Sequence, residues 1–217
     1  MRQLVVGPDR RLTAEDVARA ATDHSVRVVT SPAARRVVER SRRVVDRMVA
    51  RHQVVYGITT GFGSFKDKVV SGRDVVELQR NLIRSHSVGV GELFAPEVVR
   101  AAMIVRLNSL VQGHSGVRLE LLNLLCGLIN RNIVPVVPSQ GSVGSSGDLA
   151  PLSHMGLVLM GEGEAWYQGK RMGGAEALKR AGLTPIEFQA KEGLAWNNGT
   201  SVMTGIAALS LKRAHEL

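Results

Sequence analysis

The spacing of apolar positions predicts a mainly helical chain. Val37, Val38, Val44, Val45, Met48 and Val49 recur at helical intervals. Ser31-Pro32 supplies an N-cap followed by proline at the first helical position, so a long helix should run from there to about residue 53. Before it, Thr13 can cap a shorter helix reaching about residue 23, with Glu15 and Asp16 in its first turn. The pattern then breaks. Tyr56-Gly57-Ile58-Thr59-Thr60-Gly61-Phe62-Gly63 carries three glycines in eight residues and reads as a loop. Helical patterning returns over about 74–86 and is stopped by Gly89-Val90-Gly91. Two further helices are predicted over about 96–111 and 117–130. Pro135 and Pro138 mark an extended connection into a second loop, rich in glycine and serine, over 139–147. A helix over about 148–160 follows directly. A hairpin around Gln168-Gly169, a short helix over 174–182 and a longer one over 199–217 complete the reading. In that last segment Val202, Ile206, Ala207, Leu209 and Leu211 carry an apolar pattern into Leu217. An amphipathic helix buries its stripe against something, so further helices are expected from a continuation of the chain or from a partner.

Composition changes this picture little. Aromatic residues make up 4% of the 217, so the core must be built from Val, Leu, Ile, Ala and Met. A single cysteine, Cys126, excludes an internal disulfide framework and a cysteine-rich zinc site, and its apolar surroundings read as packing. Nothing resembles metal-ligand spacing. No basic-then-apolar leader and no run of about 18 apolar residues is present, so the expected location is cytoplasmic, with no membrane span. The formal charge of +9 raises a nucleic-acid partner. The basic residues concentrate at Arg35, Arg36, Arg40, Arg42, Arg43, Arg47 and Arg51, interleaved with Glu39 and Asp46. That is the pattern of a solvated helix face, and no nucleic-acid-binding motif accompanies it.

The candidate chemistry lies in Gln140-Gly141-Ser142-Val143-Gly144-Ser145-Ser146-Gly147-Asp148. The stretch has no Gly-Lys-Ser/Thr ending and no G-x-G-x-x-G spacing, so it is not a phosphate loop of either kind. Gly147 directly after Ser146 excludes a G-x-S-x-G elbow. Spacing alone leaves two readings open. One is a plain turn before a helix. The other is self-condensation: in a tightly bent Xaa-Ser-Gly, the glycine nitrogen can attack the carbonyl carbon two residues back, since glycine tolerates close approach and unusual backbone angles. Loss of two waters then leaves a methylidene-imidazolone, an electron-poor alkene. A helix beginning at Asp148 would turn its positive end toward that ring.

The run Gly141-Ser142-Val143-Gly144-Ser145-Ser146-Gly147-Asp148-Leu149-Ala150-Pro151-Leu152-Ser153-His154 resembles the signature of the aromatic amino acid lyase family. The resemblance extends in order along nearly the whole chain. It takes in the tyrosine-bearing loop 56–63 and Leu78-Gln79-Arg80-Asn81-Leu82 leading to Ser85-His86-Ser87-Val88-Gly89-Val90-Gly91-Glu92. It continues through Arg106-Leu107-Asn108-Ser109-Leu110, Gly113-His114-Ser115-Gly116-Val117, Lys191-Glu192-Gly193-Leu194-Ala195 and Asn198-Gly199-Thr200. The family's usual triplet is Ala-Ser-Gly. Here Ser145 replaces the alanine, which adds a hydroxymethyl substituent and leaves the ring atoms unchanged. Trp196-Asn197 is bulkier and more polar than the aliphatic pair the family leads one to expect.

The resemblance implies a mainly α fold, with a mixed domain over 1–200 that carries the glycine-rich loops and the prosthetic group. Residues 201–217 would begin a long-helix bundle that is truncated here. It implies a methylidene-imidazolone formed autocatalytically from Ser145-Ser146-Gly147, with no metal. Tyr56 would remove the β-proton, and for a phenol to do so near neutrality its pKa must be lowered. His86, after Ser85, matches histidine-specific members and would exchange a hydrogen bond with an imidazole ring. Asn198 would contact the prosthetic group or the substrate. His114 and His154 are assigned structural roles. The implied reaction converts L-histidine to ammonia and trans-urocanate. Assembly as a homotetramer, or with a complementary C-terminal chain, would be needed, and 1–217 alone should be inactive. The alternatives are a phenylalanine or tyrosine ammonia-lyase, an aminomutase, or a non-catalytic assembly partner.

Overall fold

The computed structural model describes residues 2–61, 70 and 72–217. Its helices are α1 (Ala14–Thr22), α2 (Pro32–Ala50), α3 (Gly72–His86), α4 (Pro96–Leu110), α5 (Leu119–Asn130), α6 (Leu149–Leu159), α7 (Gly174–Arg180), α8 (Glu192–Asn197) and α9 (Ser201–His215). Short strands lie between them: β1 (Gln3–Val6), β2 (Arg27–Thr30), β3 (Val90–Leu93), β4 (Val134–Pro135), β5 (Pro138–Gln140), β6 (Glu164–Tyr167) and β7 (Lys170–Gly173). The fold is mainly α, as the periodicity predicts.

The caps behave as their residue types require. Thr13 Oγ1 accepts from the Asp16 N–H at 3.1 Å while the Asp16 carboxylate accepts from the Thr13 N–H, a reciprocal capping box. Ser31 caps α2 through the Ala34 N–H at 3.2 Å, with Pro32 in the first turn. Helix α4 is buried on almost every side, from Val99 to Leu110, because α1, α5 and α9 all pack against it. With α5 and α6 it forms the core, filled by Met103, Ile104, Leu107, Leu121, Leu122, Leu125, Leu128, Leu152, Met155 and Val158. Cys126 packs against this core, and burial pushes its thiol up to about 12, so it is an inert filler.

One polar group organises this core. Arg100 is fully buried on α4 and donates to the carbonyls of Ala20 (3.1 Å), Ala21 (3.1 Å) and Ile129 (2.9 Å), and to Asn132 Oδ1 (2.7 Å). These carbonyls lie in the last turns of α1 and α5, where intrahelical donors run out and the helix dipole is negative. Burial lowers the guanidinium to about 10, which leaves it charged at neutrality.

The strands at the N-terminal end were not anticipated. β1 and β2 pair in parallel, Gln3 opposite Arg27 to Val6 opposite Thr30. The Asn130 side chain binds both the N–H and the carbonyl of Val28 at 2.8 Å. The expected hairpin forms as β6 and β7 around Gln168-Gly169, and β6 also pairs with β4. Along the arginine-rich helix α2 most basic side chains face solvent, as expected, but Arg42 does not. It reaches inward to the carbonyls of Gly116 (3.1 Å) and Ala190 (3.0 Å) while holding Asp46 at 2.8 Å.

Trp196 finds its explanation in packing. Its ring is buried against Gly156, where any Cβ would come within 2.8 Å of Nε1, and Nε1–H donates to the Leu152 carbonyl at 2.6 Å. Phe188 packs beside it at a centroid distance of 6.4 Å. The indole thus staples α8 to α6. Replacing Trp196 with alanine should cost about 3–5 kcal/mol in denaturant unfolding; a loss below about 1 kcal/mol would contradict this role.

Candidate active site

The second glycine-rich loop is positioned by its neighbours on both sides. β3 pairs antiparallel with β5, Val90 opposite Gln140 and Leu93 opposite Pro138, so the chain leaving α3 runs beside the chain entering the loop. Gly89 and Gly141 meet there. A Cβ on Gly141, whose φ is +147°, would lie 2.8 Å from Ala150 Cβ and 3.3 Å from Gly89 Cα, so only glycine fits. The Gly89 N–H donates to His154 Nε2 at 3.1 Å. An accepting Nε2 requires the neutral ring, and burial lowers the His154 pKa in the same direction.

Within the loop, Gly144–Ser146 forms one turn of 3-10 helix. The Ser146 N–H donates to the Val143 carbonyl at 3.2 Å and the Gly147 N–H to the Gly144 carbonyl at 3.0 Å. The Gly147 carbonyl accepts from the Val143 N–H at 3.0 Å, so the backbone is folded back on itself around the serine pair. Gly147 sits at φ +120°, ψ 155°, a region essentially restricted to glycine. Ser145 and Ser146 are exposed, whereas Gly147 and Asp148 are buried.

Asp148 anchors the end of the loop. It is 0% exposed. Its Oδ1 accepts from Ser142 Oγ at 2.7 Å, and its Oδ2 accepts from the N–H groups of Val202 (2.7 Å) and Met203 (3.1 Å). The carboxylate therefore caps the distant helix α9, although Asp148 itself stands at the N-cap position of α6. The Asp148 N–H donates to the Gly199 carbonyl at 2.7 Å. Two helix N-termini thus converge beside Gly147.

Asn198 and the triplet are brought together. Asn198 is exposed at the end of α8, and the following Gly199 packs on Gly147, where a Cβ would lie 3.3 Å from the Gly199 nitrogen. His86 is the last residue of α3. Its Nδ1 lies 2.9 Å from the Leu82 carbonyl and 3.1 Å from Ser85 Oγ, and a neutral ring that donates from Nδ1 to that carbonyl has Nε2 as an acceptor. Three residues later the chain reaches the Gly89–Gly141 contact. Tyr56 lies in the first glycine-rich loop. Its loop is fixed by Thr59, whose Oγ1 accepts from the Val55 N–H at 2.9 Å and donates to the Gln53 carbonyl. Ile58 is buried with Val45, Val75 and Ala190, and Tyr56 is 59% exposed. Phe62 and Gly63 of the same loop lie outside the described residues.

Two residues that hold the site were not singled out from the sequence. In the sequence Asp148 marks only a helix start. Arg106 enters the resemblance only as part of a family stretch, although an arginine inside Met103-Ile104-Val105-Arg106-Leu107 interrupts an apolar run and so signals a buried charge. It is 4% exposed. Its Nη2 donates to the carbonyls of Ala195 and Asn198, the latter at 3.0 Å, and its Nη1 leaves no space for a side chain on Gly199. Burial lowers it to about 10, opposed by the charge of Asp148.

Residues 12–217 match the model of the aromatic amino acid lyase family. The chain belongs to that family. Among curated relatives of this chain, the histidine ammonia-lyase of Caldanaerobacter subterraneus subsp. tengcongensis is 51% identical over 213 residues, covering 98% of this chain and 42% of the relative. The chain therefore spans about two-fifths of the relatives' length. Among solved structures, the histidine ammonia-lyase from Trypanosoma cruzi superposes with a TM-score of 0.91 at 35% identity, over 100% of this chain and 41% of that one. The Pantoea agglomerans phenylalanine aminomutase gives 0.91 at 37% identity, over 99% and 41%. Lyases of this family generally depend on a methylidene-imidazolone. Among the described residues of this chain, no helix is long and apolar enough to cross a membrane and no cluster of three potential metal ligands occurs.

His154 couples the stability of this loop to pH in the direction that its burial dictates. Because its folded pKa is lowered, its contribution to stability is complete above the ordinary value of 6.5 and is lost as pH falls through the folded value. The melting midpoint should fall more on acidification from about pH 7 to about pH 5 in the wild type than in His154→Gln, whose amide oxygen can still accept from Gly89. Parallel pH profiles would rule this out.

Proposed function

We propose that this chain supplies the prosthetic-group portion of an ammonia-lyase that eliminates ammonia from L-histidine to give trans-urocanate. The observation that carries the reading is the backbone of residues 143–147. It is folded on itself by three hydrogen bonds, and Gly147 adopts a conformation that an L-residue rarely takes, packed on the Gly199 backbone. These features fit a methylidene-imidazolone built from Ser145, Ser146 and Gly147. That group supplies an electron-poor alkene, the electrophile that turns an amine into a better leaving group.

The chain's own residues then have distinct tasks. The N-termini of α6 and α9 place positive helix ends beside residues 147–148 and favour negative charge there. Tyr56 takes the β-proton as general base. His86 presents Nε2 as an acceptor for an imidazole N–H, which selects histidine over a phenyl ring that has no donor. Asn198 offers its amide from the turn that touches the triplet. The roughly 50% identity to histidine ammonia-lyases supports this substrate. Residues 201–215 begin a helical bundle, and the exposed Met203, Ile206 and Leu211 on α9 favour burial by further helices, in a cytoplasmic homotetramer or with a complementary chain.

A second reading is favoured by the solved phenylalanine and tyrosine aminomutases that superpose on the chain at comparable TM-scores. An aminomutase would return the amine to the β-carbon, and product analysis separates the two.

In the assembled enzyme the intact chain should be lighter than its sequence mass by two waters. Ser146→Ala should abolish this deficit. Tyr56→Phe should keep it while losing urocanate formation by about 10²- to 10⁴-fold. An assembled wild-type protein of unaltered mass would end the proposal.

A further inference from the structure

Arg106 is an expensive residue where it stands. Burying a guanidinium is costly unless something inside needs it, and here its hydrogen-bond partners are backbone carbonyls, Ala195 and Asn198. Its Nε has no partner among the described residues. Those carbonyls end α8, which has only six residues and cannot persist by its own hydrogen bonds. The guanidinium is therefore a C-terminal cap supplied from another helix.

The capped turn leads directly to the triplet. A side chain on Gly199 would run into Arg106 Nη1, and a Cβ on Gly147 would lie only 3.3 Å from the Gly199 nitrogen. The Gly199 carbonyl holds the Asp148 N–H at 2.7 Å, which fixes the chain immediately after Gly147. Ring closure forms a bond from the Gly147 nitrogen to the Ser145 carbonyl carbon. That oxygen leaves as water with the protons of the Gly147 and Ser146 nitrogens, and a C=N bond forms between Ser145 and Ser146. The second water takes Ser146 Oγ and the Ser146 α-hydrogen. No oxidant is involved. For the attack, the Gly147 nitrogen must leave its hydrogen bond to the Gly144 carbonyl and meet a carbon two residues back. That is fast only if the glycine is held while the serines turn.

We infer that Arg106 is a positioning residue for this ring closure: by capping α8 it sets the Gly199 wall against which Gly147 is held. The inference rests on the prosthetic-group reading above. It is tested by cell-free synthesis of the complete polypeptide, timing the loss of two waters by intact mass. Arg106→Lys keeps a charge but loses the planar guanidinium whose Nη1 lies against Gly199. Gly199→Ala keeps the arginine but displaces its guanidinium. Each rate is read well below that variant's own melting midpoint, so that a merely structural weakening does not register. Both variants should mature about 10- to 100-fold more slowly than wild type. If Arg106→Lys does not fold, Gly199→Ala decides. Wild type losing two waters while a folded variant matches its rate overturns the role of Arg106 alone. A wild type that never loses them overturns the reading beneath it as well.

Discussion

The architecture depends on one requirement: helix ends buried inside the protein must have their free backbone groups satisfied. Here distant side chains meet that requirement. Asp148 caps the first turn of α9 and also receives Ser142. Arg100 closes the last turns of α1 and α5. Arg106 closes α8. The 0%-exposed Glu192 accepts from the N–H groups of Gln189 and Arg118 and from the Arg118 guanidinium, tying the start of α8 to the start of α5. Gln79 of α3 accepts from the Gly193 N–H at 3.0 Å. Each group is buried with its charge or dipole matched to a helix terminus, which makes burial tolerable.

The consequence for the site is rigidity around a loop whose centre stays exposed. Ser145 and Ser146 face solvent, while the residues on either side are fixed. Gly141 is wedged against Gly89 and Ala150, and Asp148 is held by α9 and Gly199. A backbone bent and pinned at both ends has little freedom left to lose, and a reaction between two of its own atoms gains from that.

The long-range ties also explain the two departures from the family pattern. Ser145 is an exposed residue, so the chain as described packs nothing tightly around the added hydroxymethyl. Trp196 exploits the space that Gly156 leaves on α6 and satisfies its indole N–H on the Leu152 carbonyl. A large aromatic in a core otherwise made of aliphatic side chains thereby becomes the staple between the helix after the triplet and the helix before Asn198.

The local features were legible in the sequence because they have local causes. Apolar periodicity marked α1 to α7 and α9, Thr13 and Ser31-Pro32 marked their caps, and Gln168-Gly169 marked the hairpin. The glycine and serine pattern of 139–147 marked the loop. What tertiary structure decided was every partner far along the chain. β1 and β2 are four residues each and exist because they pair with each other and with Asn130, 102 residues beyond Val28. β3 pairs across the fold with β5, and six-residue α8 lacks enough internal hydrogen bonds to announce itself. Sequence spacing showed an aspartate opening one helix; only the fold turned its carboxylate to another, because the free N–H groups of α9 arrive from 54 residues away.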